Sequence, residues 1–320
     1  MDTGSHLLFG ATLAGLAMLS PTVANDPQLA HAVLAATMIG SHAPDFDTIA
    51  RVKGYAAYIR VHRGLTHSVP ALFLWPLALS FTLSYAFAVS DHWVLLYGWS
   101  LAAVVFHVFL DACNAYGVQC LRPFNKRWHH WDILSLFDPF LFAIHAAGLV
   151  VWLNSGWNPG WMFAGVYGIT FVYIAIRALY QRRVVSRVRR ELSMEGICHV
   201  VPSLHWFRWQ FVMETDGYFY TGTVRGKLVQ VQDVYAKDEG NSIIQATLAT
   251  DGVRAFLQFA QRIHVICKEQ GDGFEVQWRD VRFWYNHQLP FGVDVKLDRE
   301  LNVVSASLGW RKRAWDPPFV

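Results

Sequence analysis

Cysteine is scarce: Cys113, Cys120, Cys198 and Cys267 are scattered through 320 positions with no CxxC and no regular spacing. That excludes a zinc ribbon and a disulfide framework, and it fits a reducing compartment. Charge is scarce too, at 16% of residues against roughly a quarter in ordinary soluble domains. A net charge of +3 is too small to point to nucleic acid. The apolar stretch Leu7–Leu19 is followed by Ala24, which resembles a cleavage position, but the preceding Met-Asp-Thr-Gly-Ser-His holds no Lys or Arg. Without that basic n-region it does not read as a signal peptide, and it is expected to be retained. Repeats and low-complexity tracts are absent as well.

What remains is apolar, at 53% hydrophobic residues, and unevenly so. Residues 1–180 carry eight Lys/Arg and eight Asp/Glu, against 19 and 16 in the other 140. This division predicts a membrane domain over 1–180, a basic juxtamembrane linker or helix extension over 181–195, and a cytoplasmic β-rich domain over 196–320. Six apolar segments are expected to form an α-helical membrane bundle: His6–Ser20, Gln28–Ser41, His67–Val89, Trp93–Ala115, Pro139–Asn154 and Trp161–Tyr180. The third, fourth and sixth reach the ~20 residues a bilayer crossing needs. The first two are shorter, and read either as tilted spans or as helices buried against the others.

Beyond Gly196 the pattern changes to short period-two runs, including His205–Val212, Tyr218–Thr223, Val281–Tyr285 and Val303–Leu308, punctuated by Gly, Asp and Asn. A helix near Asp251–Gln261 interrupts them. The prediction is a small, mostly antiparallel β domain. Its tryptophans (Trp206, Trp209, Trp278, Trp284, Trp310, Trp315) are expected to be core.

Orientation follows from the basic residues. If all six segments span, the connections 21–27, 90–92 and 155–160 contain no Lys or Arg. The opposite side carries Arg51, Lys53, Arg60, Arg63, Arg122, Lys126 and Arg127, then the run Arg182–Arg190. The expectation is a multi-pass inner-membrane protein with both termini and the C-terminal domain cytoplasmic, its basic run lying against anionic lipid.

Chemistry gathers on that side. His107 and Asp111 lie four apart on one helix face within an apolar segment, where ionisable side chains are costly unless paired or functional. They fit two metal ligands, or a His–Asp hydrogen bond between helices. Asp45 and Asp47, after Pro44, fall on one side of a short extended or turn segment, a like-charge pair that suits a cation. They equally fit an Asx turn with helix capping. In His62-Arg63-Gly64-Leu65-Thr66-His67-Ser68, Thr66 or Ser68 can cap the next helix with Pro70 in its first turn. Arg63 and the helix N-terminus would then suit an anion. His6, His129, His130 and Asp138 map to the same side; singly, each reads as interfacial or capping, Asp138-Pro139 as a helix N-cap. A shared site explains the grouping better than unrelated roles. Nitrogen and oxygen donors without sulfur suit a divalent metal, Zn²⁺ first, Mn²⁺ or Fe²⁺ next.

With these residues in view, the chain resembles the YdjM/YfhP-type family of membrane-bound metal-dependent hydrolases. The matching elements are Asp2-Thr3-Gly4-Ser5-His6, Ala43-Pro44-Asp45-Phe46-Asp47, the segment His62–Ser68, His107 with Asp111, Pro290-Phe291-Gly292 and Gly309-Trp310. The family is more distantly similar to zinc phospholipases C and single-strand nucleases. That resemblance implies His6, Asp45 (or Asp47), His62 or His67, His107 and Asp111 as metal ligands. A second helical pair is not matched, since Leu149 follows His145 at that spacing. The function implied is phosphoester hydrolysis, with Arg63 stabilising negative charge and a carboxylate outside the ligand set, Asp47, as base. A membrane lipid or lipid-linked phosphoester is the expected substrate. The rival reading is a membrane anchor or sensor that presents the β domain to a partner and holds a structural metal. A transporter reading is weaker, because midplane polar residues on several helices are missing.

Overall fold

A computed structural model describes residues 1–237 and 240–311; Trp315 lies outside the described residues. The chain divides into two compact units, one of residues 1–47 and 62–179, the other of 48–61 and 180–320.

The first unit is helical. Each of the six apolar segments overlaps a helix: α1 (Thr3–Ala17), α3 (Pro27–Gly40), α5 (Val69–Ala86), α6 (Trp93–Ala112), α7 (Pro139–Asn154) and α8 (Pro159–Leu192), with a single turn, α2 (Pro21–Ala24), between the first two. Local chemistry sets several boundaries. Asp26 accepts from the N–H groups of Gln28 and Leu29, with Pro27 at the first helical position. Asp138 does the same for Phe140 and Leu141 ahead of Pro139, as the sequence predicts.

Helices α5, α6 and α8 are long and apolar enough to cross a membrane. Phe73, Leu74, Leu77 and Phe81 on α5, and Ile169, Val172 and Ile176 on α8, are exposed without polar cover, as lipid-facing side chains should be. The two short helices are different. At 1.5 Å per residue, α1 and α3 are about 22 Å long, short of a ~30 Å hydrocarbon core. They bury Phe9, Leu13, Leu29 and Val33 against neighbouring helices instead.

The Asp45/Asp47 stretch is the turn rather than the extended segment: Ala43–Lys53 winds as 3₁₀ turns, and both carboxylates reach His62. Ser68 holds the N-cap position of α5 with Pro70 in the first turn, but neither its side chain nor that of Thr66 makes the capping bond. Thr66 donates to Asp47, and Ser68 donates to the Leu65 carbonyl within its own turn.

The second unit holds α4 (Tyr55–Val61), the C-terminal end of α8, and two four-stranded antiparallel sheets. One has the order β1 (Ile197–Pro202), β2 (Arg208–Glu214), β3 (Tyr218–Arg225), β4 (Leu228–Ala236); the other runs β5 (Ile263–Gln270), β6 (Gly273–Asp280), β7 (Phe291–Asp298), β8 (Val303–Trp310). Two helices, α9 (Ser242–Thr247) and α10 (Asp251–Phe259), connect them. Sequence reading misses β1. It also takes Val281–Tyr285 as a strand, where Asp280 caps a 3₁₀ turn over Val281–Phe283. Trp209, Trp278 and Trp284 are buried as expected; Trp206 is not, being 43% exposed.

Candidate metal centre

Four side chains from three places in the first unit converge. Asp45 comes from the 3₁₀ segment after α3, His67 from the turn Leu65–His67 that precedes α5, and His107 with Asp111 from the last turns of α6. Helical spacing gives the last pair one face, with His107 Nε2 to Asp111 Oδ2 at 3.5 Å. The two imidazoles meet Nε2 to Nε2 at 3.3 Å. His67 Nε2 lies 3.6 Å from Asp45 Oδ1 and 3.5 Å from Asp111 Oδ2, and His107 Nε2 lies 3.7 Å from Asp45 Oδ1. A tetrahedral zinc with bonds of about 2.0–2.1 Å has ligand-to-ligand edges of about 3.3–3.4 Å. The spacing of this quartet is that of a ligand shell around one small cation.

The satisfaction of the atoms agrees. Asp45 Oδ1 and Asp111 Oδ2 are buried without a hydrogen-bond partner. Carboxylate oxygens without partners in such surroundings cost several kcal/mol unless a cation compensates. The second nitrogen of each imidazole is engaged. His107 Nδ1 sits 2.7 Å from the Ser41 carbonyl, which can only accept, so the proton belongs on Nδ1. Thr66 Oγ1 donates to Asp47 Oδ2 at 2.6 Å and therefore accepts from His67 Nδ1 at 3.0 Å. Both histidines thus turn an Nε2 lone pair toward the two orphaned oxygens, the outer-shell arrangement typical of metal-bound imidazoles.

Asp111 works in two directions. Its Oδ1 receives Arg63 Nη2 at 3.0 Å and the Met1 ammonium, and lies 3.4 Å from His6 Nε2. His6 stacks on His107 with ring centroids 3.8 Å apart, so it lies beside the quartet rather than in it. Arg63 is buried, with Nη1 donating to Asn114 Oδ1 and the Gly117 carbonyl. Asn114 is a residue that sequence reading misses. Its position three after Asp111, in the bend just past the end of α6, is the signal available, and it places Nδ2 3.5 Å from Asp111 Oδ1.

Asp47 and His62 form an adjoining pair, with His62 Nδ1 2.7 Å from Asp47 Oδ1 and 4.0 Å from Asp45 Oδ1. The other Asp47 oxygen is taken by Thr66 and the Arg63 N–H. Burial pushes the His62 imidazole below its ordinary value, against the pull of Asp47, and favours the neutral form. Burial also works against ionised Asp45, yet His67 and His107 hold its carboxyl well below the usual range.

The other candidates do not join. His130 Nδ1 pairs with Asp132 at 2.9 Å, and Asp138 caps α7. His145 bridges Thr12 and Thr170 at 2.8 and 2.9 Å, a structural tie between α1, α7 and α8.

Among known families, residues 1–184 match the one described as YdjM inner membrane protein, and residues 242–314 match the YfhP C-terminal alpha/beta plait domain. The Bacillus subtilis (strain 168) protein YfhP, described as uncharacterized, is 35% identical over 314 residues, covering 97% of this chain and 95% of that protein. No solved structure matches the chain.

Proposed function

The chain belongs to the YdjM/YfhP family of inner-membrane proteins, and on that premise we propose that it is a metal-dependent hydrolase of phosphoesters at the cytoplasmic membrane face. The observation that carries this reading is the pair of orphaned oxygens, Asp45 Oδ1 and Asp111 Oδ2, facing two imidazole lone pairs at ligand-shell distances. Asp45, His67, His107 and Asp111 would hold the ion, with zinc first among divalent candidates for a set of two nitrogens and two oxygens. A divalent ion bound there supplies Lewis acidity to a phosphoryl oxygen and makes water a nucleophile near neutral pH.

The remaining residues do the positioning. Arg63 and Asn114 fix Asp111 from behind, leaving Oδ2 aimed at the quartet. Asp47 orients His62, whose neutral imidazole next to Asp45 is poised to take a proton from an attacking water. The general base is thus the Asp47–His62 pair rather than Asp47 alone. Because the last turns of α6 carry two of the ligands, the site lies at the end of a membrane-length helix, a depth that suits a lipid or lipid-linked phosphoester.

The test uses purified full-length protein. Bound metal is measured by elemental analysis, and hydrolysis of a soluble phosphodiester and of a phospholipid is followed with and without chelator. The expected result is about one divalent ion per chain and hydrolysis abolished by chelator and by Asp111→Ala. No bound metal, together with full activity in Asp111→Ala, would remove the proposal.

One observation favours a second reading. Four protein donors close a tetrahedron, as structural zinc sites do, whereas catalytic sites keep a position open. The protein would then be an anchor or sensor presenting its β-rich unit, and chelation would lower the melting temperature with no hydrolysis to lose.

A further inference from the structure

Helix α8 does not stop where its apolar stretch ends. Ile176 and Leu179 are exposed apolar residues, and Arg182 and Arg183, one turn on, are exposed cations, so the bilayer boundary falls near Tyr180. From there the helix continues to Leu192 and packs on the first sheet. Val184 and Val188, four apart and buried, meet Val200, Trp209, Phe211 and Val224, and Tyr180 lies against Trp209 with ring centroids 5.8 Å apart. The first sheet therefore packs on the stretch of α8 that begins at Tyr180.

The register shows which edge lies at the Tyr180 end of that stretch. Arg208 pairs with Arg225, and Arg225 with Leu228, so the connection 203–207 and the turn 226–227 share one edge. Phe207 from that edge reaches Tyr180, and Arg187 donates to the Gly226 carbonyl. The 203–207 connection is internally tied, with Ser203 N–H and Oγ both donating to the Arg208 carbonyl at 3.1 and 2.8 Å and Arg208 N–H donating to His205 at 3.1 Å. It presents Trp206 (43% exposed) and Phe207 (66% exposed) outward, with Leu228 on the neighbouring strand (62%).

Charge divides the same way. The near edge, 202–209 and 224–229, carries Arg208, Arg225 and Lys227 and no Asp or Glu. The opposite edge carries Glu195, Glu214 and Asp216, with Lys237 and Arg262 bound to Glu214 at 2.9 and 3.3 Å. A seven-residue strand separates the two edges by about 20 Å, well over a Debye length of ~8 Å in physiological salt. An anionic surface beside the Tyr180 end would act on the basic aromatic edge and be screened from the acidic one.

We infer that this edge is a membrane-interface anchor: Trp206 and Phe207 sit among the lipid headgroups, and Arg208, Arg225 and Lys227 bind anionic phospholipid. Amphipathic aromatics and clustered cations are the residue types that settle at that depth. The anchor is independent of the metal centre and of any hydrolysis.

The test places a nitroxide amino acid at His205, between the connection's own side chains, or at Asp216 on the far edge. The full-length protein is put into nanodiscs of phosphatidylcholine with phosphatidylglycerol, and spin relaxation by oxygen and by a water-soluble nickel chelate is compared. The expected result at 205 is strong relaxation by oxygen and loss of relaxation by nickel, with the reverse at 216. Charge reversal by Arg225→Glu with Lys227→Glu, both exposed positions, restores nickel access at 205. Equal nickel access at the two positions overturns the anchor, as does shielding of 205 from both reagents, which would mean protein covers the edge. Unchanged shielding after charge reversal overturns the role of anionic lipid.

Discussion

Thr66→Val separates a metal centre from a chance gathering of polar groups. The substitution keeps the shape of the side chain and removes one oxygen, which donates to Asp47 Oδ2 at 2.6 Å and accepts from His67 Nδ1 at 3.0 Å. Asp47 keeps the Arg63 N–H on the same oxygen and His62 on the other, so its loss is partial. His67 is left with a buried Nδ1–H whose nearest carboxylate oxygen is 3.8 Å away. The unpaired donor disfavours the tautomer that points a lone pair into the quartet. Loss of such an outer-shell contact typically weakens metal affinity 10–100-fold, about 1.4–2.7 kcal/mol. Affinity is read by competition with a chelator of known strength. Thr82→Val is the control, because Thr82 is exposed and only donates to the Ala78 carbonyl of its own helix. Equal affinity in Thr66→Val and the unmodified protein would falsify the assignment of His67 as a ligand held by Thr66.

Three further outcomes follow from the same geometry. A Cβ at Gly10 would come 2.4 Å from Ser41 Oγ and 2.9 Å from the Thr37 carbonyl, so Gly10→Val forces α1 off α3. It should cost about 1–3 kcal/mol in thermal unfolding, and weaken metal binding because the Ser41 carbonyl orients His107. Burial lowers the His67 imidazole, but the Asp111 and Asp45 carboxylates facing its Nε2 at 3.5 and 3.6 Å outweigh it and raise the group above 6.5. In the metal-free protein that proton therefore stabilises the fold below pH 6.5, and the contribution is lost as pH rises through the raised value. Metal must displace the same proton, so affinity titrated against pH should climb through that interval; a flat profile above pH 6.5 would contradict it. His145→Leu should keep its full metal content, since His145 is tied to Thr12 and Thr170 and not to the quartet. Thr12 and Thr170 each retain a carbonyl acceptor, so the stability loss should stay below about 1.5 kcal/mol in a denaturation series.

Some of this is legible in the sequence, for identifiable reasons. Apolar runs and charge asymmetry are one-dimensional signals, so the six helices can be read without coordinates. The i, i+4 relation of His107 and Asp111 is likewise local, as is the Asp138-Pro139 cap. The partners of Asp47 are not. Thr66 is 19 residues away and reads as a helix cap, yet its hydroxyl closes a bond across the turn to Asp47. Arg63 reads as an anion binder by residue type, but the structure buries its guanidinium on Asp111 and Asn114, contacts that depend on the approach of the α6 terminus. His6 matches a motif, and the fold sets it one ring-stack away from the quartet. Trp206 fails for a related reason: tryptophan content argues for core, and only the register of β2 with β3 shows that this one stands on an edge.

Asp45 decides between a catalytic and a structural ion. The side chains of His67, His107 and Asp111 are at most 1% exposed, whereas that of Asp45 is 12% exposed, so Asp45 is where water or substrate can approach the quartet. A hydrolytic site needs a position open to water, and four fixed donors leave none unless one yields or the ion expands its shell. Asp45→Ala leaves the two imidazoles and Asp111, the three-donor arrangement of catalytic zinc sites. If the ion is catalytic, Asp45→Ala should retain metal with reduced affinity and keep measurable phosphodiester turnover, while His107→Ala, which loses a core donor, should abolish both. If it is structural, the two variants should differ only in degree, each lowering the melting temperature as metal is lost, with no turnover in either. The comparison turns on the order of the two variants rather than on any single rate. It fails to support catalysis if His107→Ala retains more turnover than Asp45→Ala.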